Sequence, residues 1–260
     1  MIKKIRNIIN RRGKNRKCSV CGNTMAHFED LEEKKQNKSE FLSKLQMVGM
    51  KTTDFNCVFC GSNNRLRLIF LYFEKLDFWK NFAHKSVLHF APEVQLFRKL
   101  QVIPLEKYII GDIDPERYKE LNNGKIEIVK IDATQINLPD NSTDFIFFSH
   151  ILEHIENYQK ALSELFRVLK PGGKVILQTP YSKLLKRNFS DENIRSADQR
   201  LFFYGLQDHV RIFSETELLG AIKNVGFISE IKKISDFFST EEIQKYGLDS
   251  NEDLLLFSKN

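Results

Sequence analysis

Five short apolar runs between Ser86 and Pro180 constrain the fold more than any other part of the chain. They are SVLHF (86–90), YIIGD (108–112), IEIVKID (126–132), DFIFFS (144–149) and KVILQTP (174–180). Most are rich in Val, Ile, Leu or Phe without polar alternation, so they read as strands buried on both faces, the habit of a parallel sheet. Between the last two lies NYQKALSELFRVLKPGG, where Leu162, Leu165, Phe166 and Leu169 share one face of a helix. Asn157 is placed to cap its start and Pro171-Gly172-Gly173 to end it. Strands alternating with helices imply right-handed βαβ crossovers and an open, doubly wound α/β sheet. Ligands of such sheets bind beyond the carboxyl ends of the strands.

Those ends carry polar residues: Glu93, Asp112, Asp114, Asp132, Ser149 and His150. Asp112 closes the second run nineteen residues after Glu93, the spacing at which a nucleotide-binding sheet grips ribose hydroxyls. Asp132 closes the third run before Ala133, where a carboxylate can accept from the adenine amine with an apolar neighbour against the ring. Strand-end acids also serve as plain helix caps, and Asp114 before Pro115 reads as one.

The ordered phrases IDATQINLPDNSTDFIFFSHILEHI and ALSELFRVLKPGGKVILQTP resemble the class I S-adenosylmethionine-dependent methyltransferases. The resemblance implies a Rossmann-like, mostly parallel seven-stranded sheet. It implies that Asp112 and the adjacent Ile113 hold the ribose side of the cofactor, Asp132 the adenine amine and Ala133 the adenine face. Ser149 and His150 would line the pocket near the methionine and the transferred methyl. The family's first turn is rich in glycine, whereas this chain reads His89-Phe90-Ala91-Pro92-Glu93. Glycine is needed where backbone approaches a ligand or takes positive φ. The expectation is therefore a bulkier turn, with Glu93 or His89 pairing the methionine ammonium, or else a lost cofactor site.

Two CxxCG knuckles, Cys18-Ser19-Val20-Cys21-Gly22 and Cys57-Val58-Phe59-Cys60-Gly61, use every cysteine in the chain. Two such turns make a closed, structural four-sulfur Zn2+ site; the alternative is disulfides. His27 is not needed as a ligand. Residues 18–64 are expected to form this ribbon, with DLEEKKQNKSE (30–40) as a solvated insert and FLSKLQMVGM (41–50) packed on the ribbon. RLRLIFLYFEKLDFWKNF (65–82) reads as an apolar helix leading into a sheet domain of residues 65–260. The double knuckle with LRLIFLYFE, LHFAPE, GDIDP and DHVR resembles zinc-ribbon methyltransferases associated with bacterial surface-polysaccharide and small-molecule tailoring.

After the fifth run, residues 181–213 show little regular pattern and read as a lid over the strand ends. Asp208-His209-Val210-Arg211 follow at its end. A hydroxyl acceptor must lose a proton, and a histidine held by a carboxylate does this near neutral pH. His209 is the expected base and Asp208 its orienter or a substrate ligand. Arg211 is expected to meet an anionic group, His150 is a second catalytic candidate, and the methyltransferase resemblance implies a structural hydrogen bond for His154. Leu218, Leu219 and Ile222 predict a helix, with strands from Phe227 and in EDLLLFSKN.

Residues 1–17 hold eight Lys or Arg and no acid, leaving 32 basic against 34 acidic residues in the other 243. The net charge of +6 thus belongs to a basic tail, where Ile2, Ile5 and Ile9 share one side. Such a tail suits anionic lipid or nucleic acid, or is a solubilising terminus. No run approaches a membrane span and no secretory signal is present, so a cytoplasmic protein is expected. The expected activity is O-methylation of a sugar, nucleotide-linked sugar or related phosphorylated metabolite. An RNA methyltransferase and a non-catalytic binding protein stand as alternatives.

Overall fold

The computed structural model describes residues 10–31, 39–121 and 128–260. Ile2, Ile5 and Ile9, most of the insert at 30–40 and the first residues of the 126–132 run lie outside them. The chain divides into two compact units. Among the described residues no helix is long and apolar enough to cross a membrane.

The first unit comprises Val48–Trp79, Lys232–Leu254 and the described residues 10–31. Its helix α1 (Asn64–Lys75) starts at Asn63, whose side chain accepts from Leu66 N at 2.8 Å. Although 65–260 reads as one domain in the sequence, α1 and residues 232–254 belong with the cysteines. The cause is a buried cation. The fully buried Arg67 donates to the carbonyls of Asp54, Phe55, Ser62, Tyr246 and Gly247, and its guanidinium lies 3.7 Å from the Phe28 ring centroid. A charge taken out of water needs every donor satisfied, so these segments close around it. Tyr72 adds a hydrogen bond to Lys232 O at 2.7 Å and edge contacts to Phe237 and Phe238.

The second unit holds Lys80–Ile231, Leu255–Asn260 and residues 39–47. Its sheet is built from β1 (Ser86–Phe90), β2 (Lys107–Asp112), β3 (Ile128–Lys130), β4 (Thr143–Ser149), β5 (Leu169–Gln178), β6 (Ile228–Ser229) and β7 (Leu256–Ser258), in the order β6-β7-β5-β4-β1-β2-β3. Strands β1 to β5 pair in parallel, while β7 runs antiparallel to both β5 and β6. Burial of every residue of β1 explains its lack of polar alternation. The chain goes from β1 to β2 and β3 on one side, then crosses to β4 on the other, so the strand order reverses beside β1. That reversal opens a crevice at the carboxyl ends.

Helices α2 (Val94–Leu100), α3 (Tyr158–Val168), α4 (Ala197–Tyr204) and α5 (Glu215–Val225) accompany the sheet. Asn157 caps α3 by accepting from Lys160 N. The helix ends at Val168 rather than at Pro171, because Leu169 is already extended and β5 runs through Pro171-Gly172-Gly173. The β4–β5 ladder absorbs this with a register shift between Thr143 and Phe145. The stretch after β5 is less irregular than expected. It contains α4, fixed by a capping box of Ser196 and Gln199 and stopped by Gly205 at φ 99°, a local device that hydrophobic periodicity does not reveal. Of the segment 41–50 expected on the ribbon, residues 41–47 belong to this unit and residues 48–50 to the cysteine unit. Phe41 packs on Phe189 and Phe203, and Ser182 Oγ donates to Leu45 O.

Candidate active site

At the carboxyl end of β1, Ala91 adopts φ 45° and donates its N–H to Gly111 O at 2.9 Å. The turn thus takes the left-handed conformation that glycine normally supplies, with a methyl group as the only added bulk. His89 points into the core. It is fully buried, with Nδ1 2.9 Å from Tyr108 Oη and Nε2 2.9 Å from Glu93 Oε2. With both nitrogens engaged it anchors Glu93, which keeps partial exposure and is the member of the pair able to meet an ammonium group. Burial pushes the Tyr108 phenol up, and the nearby Glu93 adds to this, so it stays a neutral hydroxyl. Phe90 packs edge-on against Phe148.

Asp112 at the tip of β2 is buried, and its Oδ1 accepts from Asp114 N at 2.8 Å. Its own carbonyl accepts from Ile131 N at 2.9 Å, which ties the tip of β2 to the backbone leading into Asp132. Asp132 is exposed, with Oδ1 accepting from Thr134 N and Oγ1, both at 2.7 Å. Ala133 beside it is buried, whereas Ile113 is an exposed large apolar side chain. Burial and the Asp112 charge raise the Tyr118 phenol to about 12.

At the tip of β4, Ser149 Oγ is buried without a hydrogen-bond partner. His150 follows at φ 55°, its N–H donating to Gln178 O at 2.7 Å. A left-handed histidine is a strained backbone choice of the kind concentrated at functional sites. Its Nδ1 lies 3.3 Å from Oε1 of Glu153, which is fully buried and accepts on Oε2 from Thr179 Oγ1 at 2.8 Å. Burial alone would push the Glu153 carboxyl up, but the bond to His150 and the neighbouring histidines hold it down at about 2. Glu153 escaped the sequence reading, although the L-E-H phrase contains it; only packing shows that it is buried.

The Asp208–Arg211 segment departs from its expected roles. His209 is buried, with Nδ1 3.0 Å from Tyr204 O and Nε2 facing Glu153 Oε1 at 3.9 Å. Burial pushes its pKa down against the pull of Glu153. Asp208, 75% exposed, does not orient it, lying instead 3.4 Å from His154 Nδ1. The carboxylate beside His209 is Glu153. Arg211 is buried and donates to Ile155 O and Glu156 O, with its guanidinium 4.8 Å from the Tyr158 ring centroid. That commits to backbone the fork that a substrate anion was expected to occupy.

In the other unit, Cys18 Sγ lies 3.8 Å from Cys60 Sγ, and Cys21 Sγ lies 3.8 Å from Cys57 Sγ. None of the four cysteines is in a disulfide. A tetrahedron of sulfurs about 2.3 Å from one cation has edges of about 3.8 Å, so the donor set fits Zn2+. Gly22 and Gly61, at φ 75° and 73°, return their N–H groups to Cys18 O and Cys57 O, which makes the two knuckles alike.

Residues 93–177 match the family profile described as a methyltransferase domain. Over 108 residues the chain is 34% identical to the sterol 24-C-methyltransferase erg-4 of Neurospora crassa, covering 40% of this chain and 27% of that one. Over 82 residues it is 33% identical to the demethylmenaquinone methyltransferase of Clavibacter sepedonicus, covering 30% and 34%. The chain therefore spans about a third or less of the length of these relatives. A solved S-adenosylmethionine-dependent methyltransferase from Mesorhizobium loti superposes with a TM-score of 0.54 at 14% identity, over 73% of this chain and 98% of that one. The architecture is the Rossmann-like methyltransferase fold.

Proposed function

We propose that this chain, whose residues 93–177 match a methyltransferase-domain profile, transfers the methyl group of S-adenosylmethionine to an oxygen acceptor. The observation that carries this reading is the pair of acids Asp112 and Asp132 at neighbouring parallel strand tips, next to the crevice where the strand order reverses. In this arrangement Asp112 accepts from the ribose hydroxyls, and Asp132 accepts from the adenine amine above Ala133. Ile113 supplies apolar cover, and Glu93, held by His89, receives the ammonium group. The cofactor, when bound, supplies an electrophilic methyl on a sulfonium. Ser149 and His150 face the reacting end, and His150, oriented through Nδ1 by Glu153, takes the proton of the acceptor hydroxyl. His209 is buried with Nδ1 committed to Tyr204 O, which removes it from that task.

The acceptor is a sugar, a nucleotide-linked sugar or a related phosphorylated metabolite, as the zinc-ribbon resemblance to surface-polysaccharide tailoring enzymes suggests. A second reading is an apolar acceptor. It is favoured by exposed Leu184, Phe202 and Leu206 on the segment after β5, and it agrees with relatives named for sterol and demethylmenaquinone methylation. The four cysteines hold Zn2+ as a structural clamp.

Calorimetry with S-adenosylmethionine and S-adenosylhomocysteine tests the core of the proposal, and saturable binding of both is expected. Binding of neither would leave a non-catalytic protein with a methyltransferase fold. Transfer of labelled methyl into sugar-nucleotide, isoprenoid and RNA acceptors then separates the acceptor classes.

A further inference from the structure

The group of Glu153, His154 and His209 lies outside the cysteine cluster, and the methyl-transfer scheme draws on Glu153 alone of the three, through the Oε1 that faces both His150 and His209. Tyr204 O can only accept, so the bond at 3.0 Å places the proton of His209 on Nδ1. Its Nε2 faces Oε1 of the buried Glu153 at 3.9 Å. That gap is too long for a hydrogen bond and lies close to the separation of roughly 3–3.5 Å between two ligands of one cation. His154 brings a third donor. One ligand atom from each of the three residues lies within 4.8 Å of the others, and the His154 ring stands edge-on to His209 at 4.7 Å between centroids.

We propose that Glu153, His154 and His209 form a binding site for a divalent transition cation of the zinc type, distinct from the four-cysteine cluster. Bonds of about 2.0–2.2 Å to imidazole nitrogen and carboxylate oxygen set the donors roughly 3–3.5 Å apart, so the side chains close by about 1 Å on binding. The supports expected around metal ligands are in place. Tyr204 O fixes the His209 tautomer, the Thr179 hydroxyl holds the far oxygen of Glu153, and Asp208 faces His154 Nδ1 at 3.4 Å. Two imidazoles with one carboxylate suit Zn2+, Co2+ or Ni2+ better than Mg2+ or Ca2+, which prefer all-oxygen shells. Three protein ligands leave a coordination position open. His154, 31% exposed, gives the cation a route in from solvent.

The test is a Co2+ titration of the full chain as purified, with neither methyl donor nor acceptor present, followed by visible absorption. Cobalt held by thiolates shows an intense sulfur-to-metal charge-transfer band, whereas cobalt on two histidines and a carboxylate shows only ligand-field bands. Expected is a saturable one-equivalent signal of the second kind, abolished or weakened by more than about 10–100-fold in Glu153→Gln and His154→Ala. Because His154 is half-exposed, that variant carries the test if Glu153→Gln fails to fold, with circular dichroism as the check. A folded wild type that takes up no thiolate-free cobalt, or a signal unchanged in the variants, overturns the proposal. Neither result bears on methyl transfer, which calorimetry with the methyl donor decides separately.

Discussion

Replacing Arg67 by Met removes the buried cation at the centre of the cysteine unit and takes the guanidinium donor from the carbonyls of Asp54, Phe55, Tyr246 and Gly247, while Ser62 O keeps the N–H of Cys57. Each of the four carbonyls that loses its partner costs about 1 kcal/mol or more, which sums to about 4 kcal/mol. The apolar Met side chain recovers about 1–2 kcal/mol through burial. Loss of the contact to Phe28 adds about 0.5–2 kcal/mol of cost. The net penalty is about 2.5–5 kcal/mol, which takes in the range seen when a buried charge contact is broken from one side. Burial lowers the Arg67 pKa only to about 10, so the cation is present at neutral pH and the penalty applies there. At about 1.4 kcal/mol per decade, opening of this unit becomes about 10²–10⁴ times more frequent. Cys18 and Cys57 are buried, so their alkylation under native conditions should accelerate by that factor. An unchanged alkylation rate in a folded Arg67→Met protein would refute the assignment of α1 and residues 232–254 to the cysteine unit.

Asp112→Ala should weaken S-adenosylmethionine binding by about 10–100-fold, the worth of a charge-assisted hydrogen bond, as read by calorimetry. His150→Ala should lower kcat by about 10²–10⁴ while donor affinity stays within a few-fold; loss of donor affinity at constant kcat would make His150 a binding residue instead. Glu164 is held below its ordinary value of 4.5, chiefly by Arg167, and also accepts from Ile136 N. Its folded pKa is depressed, so its stabilisation is complete above about 4.5 and is lost as pH falls through the lower folded value. The acid-side fall of Tm between about pH 5 and 3 should therefore flatten in Glu164→Gln.

The sheet was legible because its central strands β1 and β4 are buried along nearly their whole length, so their apolar runs stand out against any charged background. All five runs became strands of one sheet, and the closing strand in EDLLLFSKN took its place antiparallel to β5. Asn157 and the stripe through Leu162 and Leu165 marked α3 for the same local reasons. The end of α3 was misplaced, since Pro171-Gly172-Gly173 looks like a helix stop but lies within β5. Helix α4 was missed because two short turns held by a capping box leave little periodicity to detect.

The strand tips and the two alike knuckle turns followed from local pattern, because burial period and turn-forming residues are written along the chain itself. Partnership between distant residues did not. That Glu153 rather than Asp208 stands beside His209, that Arg211 is bound to backbone, and that Arg67 gathers residues 54 to 247 around itself follow from which buried charges end up near which acceptors. Electrostatic partners are chosen by three-dimensional proximity in a medium that penalises an unmatched charge, and only tertiary packing sets that proximity.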